Sequence, residues 1–219
     1  MAQTRYSARA LAKRGARREH RWMTTSAAPL GGQILKGRFV ALEPLGAGNR
    51  AALLAAFEPD VFTYMPFDVA QGYAPVLDWH AQENAAGRMV SYAVRRCSDG
   101  AVVGSTSYLA IAAEHGRVEI GSTWYARAAQ GGAVNPEAKY LLLANAFDKG
   151  WNRVEFKTDS KNARSRAALA KLGATEEGTL RGHMWVPQGY FRDSVYFSIV
   201  ASEWPAVKAR LEERMAAFW

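Results

Sequence analysis

The stretch from Arg117 to Thr158 constrains the fold most, because its hydrophobic period runs from strand to helix and back within one short segment. Arg117 to Trp124 reads as a strand. A glycine-containing loop follows, then a helix from Pro136 to Lys149, almost continuously apolar from Tyr140 to Leu143, with Gly150 suited to its C-terminal cap. Arg153 to Thr158 is strand again. Upstream, Arg38 to Leu42 is a first strand, Asn49 to Phe57 a short helix, and Pro75 to about Ala86 a second helix. Met89 to Arg95 and Ala101 to Leu109 form a hairpin around Ser98-Asp99-Gly100. Downstream, Asn162 to Leu172 is a helix stopped by Gly173. Thr175 to Trp185 and Ser194 to Val200 are strands around Pro187-Gln188-Gly189. Ser202 caps a last amphipathic helix that lines up Trp204, Val207, Leu211, Met215 and Phe218. The order β-α-α-β-β-β-α-β-α-β-β-α predicts a mixed α/β sheet with helices on both faces.

A chain of 219 residues suits one domain, and 49% hydrophobic residues exclude a wholly disordered one. No run approaches the ~20 apolar residues of a transmembrane helix. The single cysteine, Cys97, excludes an intramolecular disulfide framework and a Cys-rich zinc site and agrees with a reducing, cytoplasmic compartment. Scattered histidines without an HxH or HExxH pattern give no metal site, and no GxSxG elbow points to a hydrolase. The net charge of +8 is uneven: residues 1–22 hold seven Lys and Arg against Glu19, so residues 23–219 carry only +2. The folded part is thus a poor nucleic-acid binder by charge. The tail reads as a disordered extension. Its alternatives are an arm that touches nucleic acid, a segment like a mitochondrial transit peptide, or sequence upstream of a start at Met23. Residues 24–37 read as a lead-in, so the expected division is a basic extension over 1–35 and one domain over 36–219.

Three segments can carry chemistry. In Gln130-Gly131-Gly132-Ala133-Val134-Asn135, ahead of Pro136 and Glu137, small residues and a helix N-terminus suit a phosphate or pyrophosphate, or else make a plain glycine-rich connection. On the strand before it, a period of two sets Glu119, Gly121 and Thr123 on one face and Val118, Ile120, Ser122 and Trp124 on the other. Glu119 there is a candidate general base, or a surface carboxylate paired with an arginine. In Thr158-Asp159-Ser160-Lys161-Asn162-Ala163-Arg164-Ser165, Asn162 caps a helix. Ser165 tops the apolar stripe of Ala168, Leu169 and Leu172. Its hydroxyl can donate to a thiolate or carbonyl, or simply belong to the capping cluster. Trp124, Tyr125, His183, Trp185 and Tyr190 are candidates to line an acceptor pocket, or core aromatics.

Taken together, Val118-Glu119-Ile120-Gly121, the Gln130 loop entering Asn135-Pro136-Glu137-Ala138-Lys139, Asn162-Ala163-Arg164-Ser165 and Lys171-Leu172-Gly173-Ala174 resemble the GCN5-related N-acetyltransferase (GNAT) superfamily. Within it they resemble the ribosomal-protein N-terminal acetyltransferase-like (RimJ/RimL-like) branch. The resemblance implies the GNAT fold, a mixed and mostly antiparallel sheet of about seven strands with helices on both faces. It implies acetyl-CoA as acyl donor, no metal, and an amine acceptor that is a protein N-terminus or a small molecule. A homodimer is left open. The family's loop amides hold the CoA pyrophosphate, here Gln130 to Asn135, with Ala133 and Asn135 standing where glycine or another small residue is usual. Backbone at Ser122, Thr123 and Trp124 would meet the acyl arm beside a splay between the Glu119 and Arg153 strands, and Asn162 and Ser165 would flank that arm. The family's frequent tyrosine acid falls at Leu169, and Ser165 matches the branch's serine near the thiolate. Glu119 matches its strand base. Two other classes stay open: a CoA-binding module without catalysis, and a ribosome- or nucleic-acid-associated protein acting through the basic tail.

Overall fold

The computed structural model describes residues 27–218. The readings of segment 1–22 lie outside the described residues. Hydrophobic alternation and glycine stops place the elements close to where the sequence predicts them. The strands are β1 (Leu35–Lys36), β2 (Val40–Pro44), β3 (Val90–Arg96), β4 (Val102–Ala112), β5 (Arg117–Tyr125), β6 (Arg153–Asp159), β7 (Thr175–Val186) and β8 (Tyr190–Val200). The helices are α1 (Ala47–Ala55), α2 (Ala74–Ala85), α3 (Val134–Asp148), α4 (Ala163–Leu172) and α5 (Trp204–Ala216). Among the described residues the eight strands form one sheet, ordered β1-β2-β3-β4-β5-β6-β8-β7. Seven carry the sheet as expected, and β1 is a two-residue addition at its edge.

The crossover through α3 makes β5 and β6 the parallel pair, while the other neighbours are antiparallel. That pairing is short: Arg117, Val118 and Glu119 meet Arg153, Val154 and Glu155, and no further pair follows. Beyond Glu119 the two strands diverge and leave a wedge in the sheet. One face packs Val118, Ile120, Val154 and Phe156 against Ala138 and Leu142 of α3, with Leu211 of α5 in the same core. The other packs Ala93, Val102 and Trp124 against Leu53 of α1, Phe62, and Tyr73 to Leu77 at the start of α2.

The domain boundary at residue 36 needs correction. Ala27 and Leu30 are buried in the main core. The Leu30 carbonyl accepts from Tyr92 Oη and Asn145 Nδ2, and the Ala28 carbonyl accepts from Trp151 Nε1. The folded unit therefore includes residues 27–35. Residues 27–35 read Ala-Ala-Pro-Leu-Gly-Gly-Gln-Ile-Leu and carry no regular periodicity, because the segment is held by its carbonyls and by the separate buried side chains Ala27, Leu30 and Leu35 rather than by an apolar stripe. Ser202 is not the cap of α5 either. Glu203 holds the N-cap position, and its carboxylate accepts from Val200 N at 2.9 Å.

Candidate active site

β5 supplies the centre of the site. Glu119 is the last residue of the parallel pairing and is 4% exposed. Its Oε2 accepts from Lys157 Nζ at 3.2 Å, and Lys157 also lies over the Tyr196 ring. The neighbouring Gly121 makes room for the carboxylate, since a Cβ there would lie 3.0 Å from Glu119 Oε1.

The alternation read from the sequence fails past Gly121, and a β-bulge is the cause. Ser107 pairs with Gly121 and Ser105 with Trp124, so Thr106 alone stands opposite Ser122 and Thr123. Ser122 takes φ 48, rare for a residue other than glycine. The extra residue reverses the faces. Ser122 and Trp124 join Glu119 on the α2 side, where Ser122 Oγ lies 2.9 Å from His80 Nε2 and Trp124 Nε1 donates to Tyr73 Oη at 2.8 Å. Thr123 turns to the α3 side. Its Oγ1 lies 2.7 Å from Thr106 Oγ1 and accepts from Lys139 Nζ at 3.2 Å. Burial pushes Lys139 down to about 7, against the opposing pull of Glu119.

The glycine loop leads from β5 into α3. The first backbone bond of the helix runs from Glu137 N to Ala133 O, so the amides of Gly131 to Asn135 have no backbone acceptor among the described residues. Clefts lie on either side of this loop. One, of ≈ 390 Å³, is lined by Gln130, Gly132, Ala133 and Val134 together with Arg96 and Cys97. The other, of ≈ 440 Å³, joins Gln130 and Asn162 with Arg127, Lys161 and Arg164. Arg164 Nη1 donates to Gln130 Oε1 at 2.5 Å and bridges the loop to α4. Asn162 caps α4 as predicted, accepting from Ser165 N at 3.0 Å. Ser165 is half-buried on the face of Leu169 and Leu172, whereas Ala168 is exposed. Of the three basic residues of the second cleft, Lys161 and Arg164 stand in a segment singled out from the sequence but were given no role there, and Arg127 was not singled out. Their signal was available, because Arg127 precedes the loop and Lys161 and Arg164 flank the Asn162 cap.

The aromatic candidates do not gather in one pocket. Trp124 and Tyr125 are buried in opposite cores. Trp185 is exposed and meets the Phe191 ring edge-on. Tyr190 Oη donates to the buried Asp159 at 2.6 Å, and His183 lies against Ser194 Oγ at 2.9 Å. Between them Arg192 is buried with its Nε unpartnered.

The acetyltransferase (GNAT) domain family matches residues 40–175. The chain belongs to this family. A GCN5-related N-acetyltransferase from Brucella melitensis is 32% identical with TM-score 0.76, over 83% of this chain and 84% of that one. Mycobacterium smegmatis RimJ in complex with CoA-disulfide is 25% identical with TM-score 0.67, over 85% of this chain and 90% of that one. A curated relative from Bacillus subtilis (strain 168), named "Putative ribosomal N-acetyltransferase YdaF", is 32% identical over 111 residues, 50% of this chain. That match spans 60% of the relative's length. This GNAT acetyltransferase is therefore similar to RimJ/RimL-like proteins, as its motifs predict. Among its described residues no group of three or more His, Cys, Asp and Glu is placed to hold a metal. No described helix is long and apolar enough to cross a membrane.

Proposed function

We propose that this GNAT acetyltransferase moves an acetyl group from acetyl-CoA to a primary amine by direct attack in a ternary complex. The wedge between β5 and β6 carries the reading: the parallel pairing ends at Glu119, so an acyl arm can lie against unpaired β5 backbone beside a buried carboxylate. The free amides at the start of α3 and the basic residues Arg127, Lys161 and Arg164 suit a pyrophosphate-bearing donor. Bound acetyl-CoA supplies an activated thioester.

The residues then divide the work. An amine near its unperturbed pKa of ~8 (α-amino) or ~10.4 (lysine) arrives mostly protonated. Glu119, through water, accepts the proton it loses. The amine nitrogen bonds to the carbonyl carbon, and backbone N–H groups between Ser122 and Tyr125 receive the oxyanion. The C–S bond breaks, the second proton that the nitrogen sheds passes to the departing sulfur, and the Ser165 hydroxyl donates a hydrogen bond to that sulfur as it leaves. The acceptor is a protein N-terminus or a small amine. Calorimetry with acetyl-CoA, followed by a mass-spectrometric screen of acetyl transfer to peptides, polyamines and aminoglycosides, tests the reading. Binding plus transfer to one amine class supports it. Binding with no transfer to any amine leaves a CoA-binding module instead.

A further inference from the structure

We propose that His80 is a positioning residue for acetyl transfer: from the α2 side it holds Ser122, and with it the bulge whose amides receive the thioester oxygen. The proposal rests on the acetyl-CoA reading above.

The hydrogen-bond network fixes which way His80 acts. Ser91 has one hydroxyl proton, and it goes to Asn84 Oδ1 at 3.1 Å. Ser107 Oγ donates to Ser91 Oγ at 3.1 Å. Ser91 Oγ is therefore an acceptor toward His80 Nδ1, 3.0 Å away, and Nδ1 carries the ring proton. That leaves Nε2 bare, 2.9 Å from Ser122 Oγ, so the Ser122 hydroxyl donates to it. The imidazole is fully buried, and burial pushes it down to about 4. A neutral ring keeps this one polarity across the neutral range, and the same shift makes it a poor proton acceptor for an amine.

The next residue is held from the opposite face. Thr123 Oγ1 is tied to Lys139 on α3 and to Thr106 on β4. Two consecutive residues of one bulge are thus anchored to helices on opposite sides of the sheet. A backbone held at positive φ outside glycine persists only where its surroundings over-determine it. Glycine at 122 would adopt the same φ freely, but it would lack the hydroxyl that sets the bulge's direction. The clamp stands where β5 parts from β6, on the same strand as Glu119.

Bound acetyl-CoA, labelled with carbon-13 at its carbonyl, reports on the clamp through the thioester stretch in difference infrared spectra. In the unaltered protein the stretch should fall below that of free acetyl-CoA. In His80→Gln and in Ser122→Ala it should return toward the free value. In those variants kcat, measured with the best acceptor of the screen, should fall by roughly 10²-fold with little change in KM for acetyl-CoA. Ser122→Gly, free of the φ penalty, should stay closer to the unaltered protein than Ser122→Ala does. In that background His80→Gln should cost far less than it does alone. The two Ser122 variants carry the test even if His80→Gln does not fold. An unmoved stretch in every variant, or an equal loss from His80→Gln in both backgrounds, overturns the proposal. An unaltered protein that binds no acetyl-CoA removes the underlying reading, and the proposal with it.

Discussion

Glu119 projects from β5 toward the α2 side while Lys139 reaches the strand from α3 on the other, and each makes a measurable claim. If the carboxylate takes the amine's proton, Glu119→Gln should lower kcat by roughly 10²–10⁴ while acetyl-CoA binding holds. Initial rates beside calorimetry check this, and an unchanged rate ends the assignment. Lys139 is a buried base whose folded value lies below its ordinary 10.5, at about 7. Between those values the unfolded chain binds the proton and the folded chain does not. Stability should therefore rise with pH from about 7 to about 10, at up to ~1.4 kcal/mol per unit, and the penalty is complete below about 7. Lys139→Met should flatten that rise in urea titrations at several pH values. Both residues stand in motifs legible in the sequence, but their geometry was legible only in part. Glu119 obeyed a period of two. Ser122 and Trp124 did not, because the bulge depends on Thr106 of a neighbouring strand, and no local pattern announces a missing partner.

At the scale of elements, α3 does two jobs with one turn. Its small residues leave amides free, and Glu137 beside them turns inward. That buried carboxylate accepts from Arg38 N at 2.8 Å and from Phe39 N and Val40 N at 2.6 Å, tying the helix start to the β1–β2 turn. A Cβ on Gly37 would fall 2.4 Å from the Glu137 carboxyl carbon, so glycine is required there. Glu137→Ala would strand three amides and should cost roughly 3 kcal/mol or more, read as a lower urea midpoint. Gly37→Ala should destabilise through the same contact. A loss confined to activity would show that the clamp does not hold the turn. From the sequence, Glu137 was only an acid in a favoured first turn. Helix periodicity, Gly150 and Gly173 placed α3 and α4 well because those signals are local. The partner of Glu137 lies about a hundred residues upstream, where nothing local points to it.

At the scale of the whole molecule, residues 27–35 are part of the fold, and their removal tests how the sheet is closed. A chain beginning at residue 36 loses the buried Leu30 and Leu35, which are worth about 2 kcal/mol each. It also strands Tyr92 Oη and Trp151 Nε1, and Asn145 gives up its bonds to Leu30 O and Gln33. Each orphaned buried donor adds about 1 kcal/mol or more. The total, about 6 kcal/mol or more, rivals the whole stability of an ordinary domain. The shortened chain should therefore populate unfolded or aggregated forms, while Leu30→Ala in the full chain should fold with a loss of roughly 2–4 kcal/mol. Circular dichroism and urea unfolding of both, beside the full chain, distinguish the cases. The active-site wedge would suffer too, because Asn145 also bonds Tyr108 Oη on β4, and Tyr108 Oη donates to Leu142 O on α3. A chain from residue 36 with an unchanged midpoint would mean that the sheet and α3 close without this strap, and that its buried contacts contribute nothing to the fold.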